Sequence, residues 1–154
     1  MITDVLLTVS GANTPGSAIQ GQAITTATAV STNTIDLGTA RDIGEGESLF
    51  MVFTVVEAFN TLTSLTMNVI TDDNVGLSSG TVIASTGAVV LANLTAGKQY
   101  VVRLPAQIAS LGERYLGASY TVGGTNPTQG SILAQIVLDI QDGKKFYESK
   151  ITVA

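Results

Sequence analysis

Apolar and polar residues alternate with a period of two through most of this chain, and that period limits the chain to β-strands. In "SILAQIVLDI" (131–140), Ile132, Ala134, Ile136, Leu138 and Ile140 fall on one face, with Gln135 and Asp139 on the other. This is the pattern of a half-buried strand. "SLTMNVIT" (64–71) repeats it, with Leu65, Met67 and Val69 facing in and Thr66 and Asn68 facing out. "ESLFMVFTVV" (47–56) is apolar on both faces: Leu49, Met51, Phe53 and Val55 on one, Phe50, Val52 and Val56 on the other. Such a strand is central in its sheet or capped by a neighbouring layer.

Further strands are expected at "QAITTATAV", "TVIAST", "AVVLANL", "QYVVRLP" and "ERYLGASYTV". Between them stand turn formers: "DLGTARDIGEGE", "TDDNVGLSSG", "STGA", "LTAGK", "GGTNPTQG" and "QDGK". Helical periodicity is scarce, and only "AQIASLGERY" (106–115) has room for one turn, ended by Gly112. Strands spaced by about 8–12 residues predict an all-β protein. The expected fold is a jelly-roll-like antiparallel β-sandwich of about eight strands, with extended N- and C-terminal arms. A Greek-key sandwich of another strand order fits the same pattern. The length of 154 residues suits one domain with a sizeable core.

We divide the chain into an N-terminal arm (1–20), a sandwich body (21–141) and a C-terminal arm or edge strand (142–154). The first arm carries the apolar residues Ile2, Val5, Leu6 and Leu7, and Asp4 stands where a signal peptide would have a basic start. The last segment, "QDGKKFYESKITVA", carries Phe146, Tyr147, Ile151 and Val153. Free ends of this kind fray in a monomer. These eight apolar residues are therefore expected to contact other chains.

Composition removes several chemistries. There is no cysteine and no histidine, so thiolate chemistry, disulfides and most zinc and hydrolase sites are excluded. Charged residues make up 12% of the chain, against about 25% in an average domain. This favours a surface partly covered by other chains. The net charge is −5 and the pI about 4.4, which disfavours nucleic-acid binding. No apolar run approaches the ~20 residues of a membrane span.

The one acid-rich stretch lies in "STNTIDLGTARDIGEGESLFMVFTVVEAF" (31–59), where Asp36, Asp42, Glu45 and Glu47 surround Arg41. Glycoside hydrolysis would need two such acids across a groove, normally with aromatic platforms, but the chain has no Trp and only 5% aromatic residues. A structural corner fits better. Asp36 and Asp42 each begin an Asp-X-Gly turn, in which the carboxylate accepts turn N–H groups and Gly38 or Gly44 supplies positive φ. Arg41 is expected to bridge carboxylates or carbonyls as a planar fork. Asp72 and Asp73 likewise read as turn caps beside Asn74 and Gly76, because calcium-loop spacing is missing. No catalytic residue, metal ligand or cofactor site is expected.

Three segments, "STNTIDLG", "RDIG" followed by "GE", and "RYLGASYTVGG", occur in one order. With the sequence around them, from about residue 22 to 141, they resemble the capsid cement (decoration) proteins of tailed phages, typified by the Bordetella phage cement protein. The resemblance implies a jelly-roll-like fold without catalysis. It also implies a place on the outer surface of the capsid, where small oligomers, dimers or trimers, clamp neighbouring major capsid proteins. Both ends look longer than the family pattern. A second reading is a ligand- or sugar-binding sandwich of a phage receptor-binding or tail protein, with Tyr100, Tyr115, Tyr120, Phe146 and Tyr147 as the plausible suppliers of a groove. A hydrolase relying on Asp or Glu alone is a third, with little in its favour.

Overall fold

The computed structural model describes residues 4–13, 17–43 and 46–138. Among these residues ten strands follow in chain order: β1 (Thr8–Ser10), β2 (Gln22–Ala23), β3 (Thr28–Val30), β4 (Ile35–Asp36) and β5 (Phe50–Glu57), then β6 (Leu62–Asp72), β7 (Thr81–Val90), β8 (Gln99–Arg103), β9 (Tyr115–Gly124) and β10 (Ser131–Val137). All pairings are antiparallel and form two sheets. In the first sheet β1 and β2 both pair with β10, followed by β5 and β8. In the second, β3 and β4 both pair with β9, followed by β6 and β7. Each pair of short strands shares one position, so the ten strands fill the eight positions of a jelly roll.

The two sheets face each other through the residues that the alternation placed inward. Met51, Phe53, Val55, Ile132 and Ala134 of one sheet, with Leu65, Met67, Val69, Ala118 and Tyr120 of the other, are all fully buried. Burying a side chain such as Phe53 contributes roughly 3 kcal/mol. Phe53 meets the edge of the Tyr120 ring at 6.2 Å between centroids. Tyr120 donates to Ser10 Oγ (2.6 Å), which ties β1 across the core. Burial pushes the Tyr120 phenol well above its ordinary range.

Several expectations are corrected. "QAITTATAV" is not one strand. Its β-forming residues continue through a corner, where β2 ends, Ile24 enters the core, and β3 begins in the opposite sheet. "STGA" is not a turn, because β7 runs through it. Thr86 and Gly87 (φ +68°) lie together opposite Met67 as a bulge. β10 is buried on both faces, not one, and Gln135 donates to Thr8 Oγ1 (3.0 Å) within the buried layer. Leu138 lies beyond the strand end and is exposed; Asp139 and Ile140 fall outside the described residues. The expected helical turn is a 3-10 turn, Ala109–Leu111, ended by Gly112 at φ +74°.

Within the N-terminal segment, Asp4 caps a 3-10 turn over Val5–Leu7, and Thr8–Ser10 is wholly buried as β1. Leu7 packs against the core, while Val5 and Leu6 are exposed. Ile2, Phe146, Tyr147, Ile151 and Val153 lie outside the described residues, as does the segment 142–154.

The sheet edges are guarded against pairing with other chains. The β1/β2 and β3/β4 edges are short and interrupted, and β8 is five residues long and ends on Arg103. β7 is longer, but a second register shift at Ile83 joins the Gly87 bulge in twisting it.

The outer face of the second sheet is built from small uncharged residues. One cross-strand row is Val30, Ser119, Asn68 and Ser85; the next is Thr28, Thr121, Thr66 and Ala88. Asn68 links its row by donating to Ser119 Oγ (3.4 Å) and accepting from Ser85 Oγ (2.6 Å).

Candidate functional site: the corner where three motifs meet

The acid-rich stretch leaves β4 at one end of the second sheet. Gly38, at φ +79°, donates its N–H to Asp36 Oδ1 (2.7 Å), as expected for an Asp-X-Gly turn. The planar fork comes from a different arginine. Arg114 Nε and Nη2 donate to the two Asp36 oxygens, each at 2.6 Å. Arg114 directly precedes Tyr115, which pairs with Asp36 across the β4–β9 ladder, so the sheet itself delivers the guanidinium. The guanidinium also lies 5.3 Å from the centre of the Tyr115 ring. Arg41 stands beside Gly38: a Cβ there would lie 3.2 Å from its Nη2. The Arg114 hydrogen bonds, then the Gly38 N–H, hold the Asp36 carboxyl at about 2, below the usual 3.8; Arg41 adds only a distant attraction.

Asp42 makes a long-range tie. Its Oδ1 accepts the N–H of Ala109 (2.8 Å), the first residue of the 3-10 turn, and so pins the 37–49 connection to the one after β8. Gly44 and Glu45 lie outside the described residues.

Asp72, at the end of β6, is 2% exposed and accepts three hydrogen bonds from its turn. Its Oδ1 takes the Asn74 N–H (3.0 Å) and the Ser79 hydroxyl (3.1 Å), and its Oδ2 takes the Ser79 N–H (2.8 Å). Burial works against its charge, but the hydrogen bonds, Ser79 N–H foremost, outweigh it and hold its pKa below the ordinary value. The loop so held carries Leu77 at φ +53°, a conformation rare for a leucine. Leu77 is kept there by burial: it sits over Gly117, where an added Cβ would lie 2.4 Å from Leu77 Cδ1 and 2.7 Å from Ser31 Oγ. Ser31 also accepts the Ala118 N–H (3.0 Å) through its hydroxyl. Glu113 accepts hydrogen bonds from the hydroxyls of Thr71 and Thr81, completing the corner.

The first and third quoted segments therefore touch, and the second is tied in beside them. Ser31 and Asp36 of the first bind Ala118 and Arg114 of the third, and Asp42 of the second holds the turn just before it. Sequence reading missed Arg114, Ser31 and Leu77. Their partners lie 78, 87 and 40 positions away (114 − 36, 118 − 31 and 117 − 77), and no local pattern announces such pairings.

A family model described as Bbp16 matches residues 18–136. The chain belongs to the Bbp16 family, which is phage-associated. No curated protein matches the chain. The Bbp16 match spans all three segments of the corner and stops one residue short of the end of β10.

In this Bbp16-family body the carboxylates of Asp36, Asp42, Asp72 and Glu113 are already engaged by backbone N–H groups, hydroxyls or Arg114. Among the described residues no group of acidic side chains could hold a metal ion, and no helix is long and apolar enough to cross a membrane. The tyrosines are dispersed. Tyr120 is in the core, Tyr115 lies beside Arg114, and Tyr100 donates to Asn93 O (2.7 Å). An open depression is lined, among the described residues, by Gly46, Pro105, Ala106 and Gln107, none of them aromatic or charged.

The assignment of the fork is testable. Arg114→Ala should return the Asp36 pKa toward the ordinary carboxylate range, whereas Arg41→Ala should leave it near its present value. NMR titration of the Asp36 carboxyl distinguishes the two, and a larger shift in the Arg41 variant would reverse the assignment.

Proposed function

We propose that this protein is a cement subunit of a tailed-phage head: it binds the outer surface of the capsid and clamps neighbouring major capsid proteins. Membership of the Bbp16 family over residues 18–136, taken with the resemblance of the three segments to cement proteins, carries the reading. The body suits such work. It is a rigid two-sheet sandwich whose guarded edges keep many crowded copies from pairing strand to strand. Its corner carboxylates are spent on architecture, and the role requires no catalysis, cofactor, nucleic acid or membrane. An acidic body on the outside of the shell is not drawn to the DNA within. The exposed Val5 and Leu6, with the apolar residues of the C-terminal segment, are proposed contacts to neighbouring chains. Many weak clamps acting together strengthen a shell through avidity.

Purified heads with and without the protein test this directly. Heads carrying it should release DNA at a higher temperature on heating. Equal release temperatures, or failure to find the protein on heads, would refute the proposal.

A further inference from the structure

The charge of this chain is unevenly divided between the two ends of the sandwich. Four connections meet at one end: 24–27, 58–61, 91–98 and 125–130. Among the described residues that end bears only Glu57 and Lys98, whose charges cancel. The opposite end holds Asp36, Asp42, Glu47, Asp72, Asp73 and Glu113 against Arg41, Arg103 and Arg114. The neutral connections are tied into one plate. Ile24 donates its N–H to Gly130 O (3.1 Å), and Phe59 donates its N–H to Leu94 O (3.2 Å). Asn60 clips the second connection to the fourth: its Nδ2 donates to Thr128 Oγ1 (2.7 Å) and its Oδ1 accepts the Thr128 N–H (2.9 Å). Thr61 stands at φ +58°, an outlier for a β-branched residue, and its hydroxyl donates to Asn126 O (3.2 Å). Backbone strain of this kind persists only where the surroundings hold it, and it gathers at sites that bind.

We propose that this plate is the foot of the protein: it seats on an uncharged, polar surface of the major capsid protein. The inference rests on the cement reading and adds which end docks and what kind of surface receives it. The centres of docking surfaces are depleted in charge, because each charge buried there loses its water. The plate meets that condition, whereas the acidic end would need a basic seat. Its exposed groups are hydroxyls and carboxamides, Thr95, Thr125, Asn126 and Gln129 among them, which both donate and accept. A partner's backbone amides and hydroxyls satisfy them without any match of charge. The ties fix the plate before it docks, so little loop entropy is lost on binding. Val5 and Leu6 lie toward the far end, because Thr8 pairs with Gln135 and the chain before it runs toward Val137. Plate and arm are then two separate contacts, as a clamp requires.

Heads that lack the protein, incubated with the purified full chain and pelleted, test the inference through occupancy against concentration. Hydrogen exchange of the bound wild type should slow in 91–98 and 125–130 and stay unchanged in 37–43 and 73–80. Thr125→Glu combined with Ala96→Glu puts charge on the plate at two exposed positions that take no part in the ties. The melting temperature should match wild type, and the affinity for heads should fall more than about a hundredfold. Thr39→Glu combined with Val75→Glu, an equal charge at the far end, should bind as wild type does. Raising the salt from about 0.05 to 0.5 M should change wild-type affinity less than about threefold, because neither surface carries net charge. Three results overturn the docking end and leave the cement reading in place: slowed exchange at the acidic end, full binding by the plate variant, or steep weakening by salt. A wild type that does not bind heads overturns both.

Discussion

Gly130→Ala should destabilise the fold by roughly 2–4 kcal/mol, a large effect for one methyl group. Gly130 has φ +128°, and a Cβ there would stand 2.2–2.6 Å from three atoms of the Phe59 ring. Phe59 is a core residue, 7% exposed, and its N–H is held by Leu94 O at 3.2 Å, so the ring has little freedom to withdraw. Gly130 also accepts the Ile24 N–H (3.1 Å) at the point where the chain leaves β2 for the other sheet. Displacing it would strain the corner as well as the ring. Gly97 provides the comparison: it has φ +83°, but nothing lies within 4 Å of its would-be Cβ. Gly97→Ala should therefore cost only the backbone term, about 1–2 kcal/mol. Urea denaturation of both variants separates conformation from clash, and equal losses would mean that the Phe59 ring yields.

Asp72→Ala should cost about 3 kcal/mol, because it strands the Asn74 and Ser79 N–H groups in a site that is 2% exposed. The loop would then lose its hold on Leu77, whose left-handed backbone depends on it. Faster hydrogen exchange at Asn74 and Ser79 should accompany the loss. The pH dependence follows from the sign of the shift. Asp72 binds its proton less readily in the folded protein than at the ordinary 3.8, so its contribution is complete above that value. It is lost as pH falls through the lower folded pKa. Asp36 acts in the same direction between 3.8 and about 2, weakly because it is exposed. Asp72→Asn should flatten the acid limb of the stability curve. A curve as steep as wild type would place the acid sensitivity elsewhere.

Much of the architecture was legible because alternation reports directly on which side of a sheet a residue meets. Leu65, Met67 and Val69, and Met51, Phe53 and Val55, are inward and buried as expected. Where reading failed, the cause was long-range. The corner at Ile24 is composed of residues as β-favouring as the strands it joins, so nothing local marks the crossing to the other sheet. Gly87 has the composition of a turn and the structure of a bulge, because β6 continues straight past it. The turn at Asp36 was legible from its Gly38 partner, but its arginine was not: Arg41 is near in sequence, and Arg114 is near across the sheet.

The pairing of β1 with β10 sets a condition on how this protein comes into being. Thr8 lies opposite Gln135 and Ser10 opposite Ala134, so the first strand of the described residues has its partner in the last. β10 also occupies the middle of its sheet, between β1 and β5. Until it arrives, β5 presents a long bare apolar edge and Val9 has no core to enter. The first sheet must therefore assemble after nearly the whole body has been translated. Chains stalled or truncated before Ser131 should be aggregation-prone, and refolding should be slow for the size of the protein, as expected when distant segments must meet before either is stable.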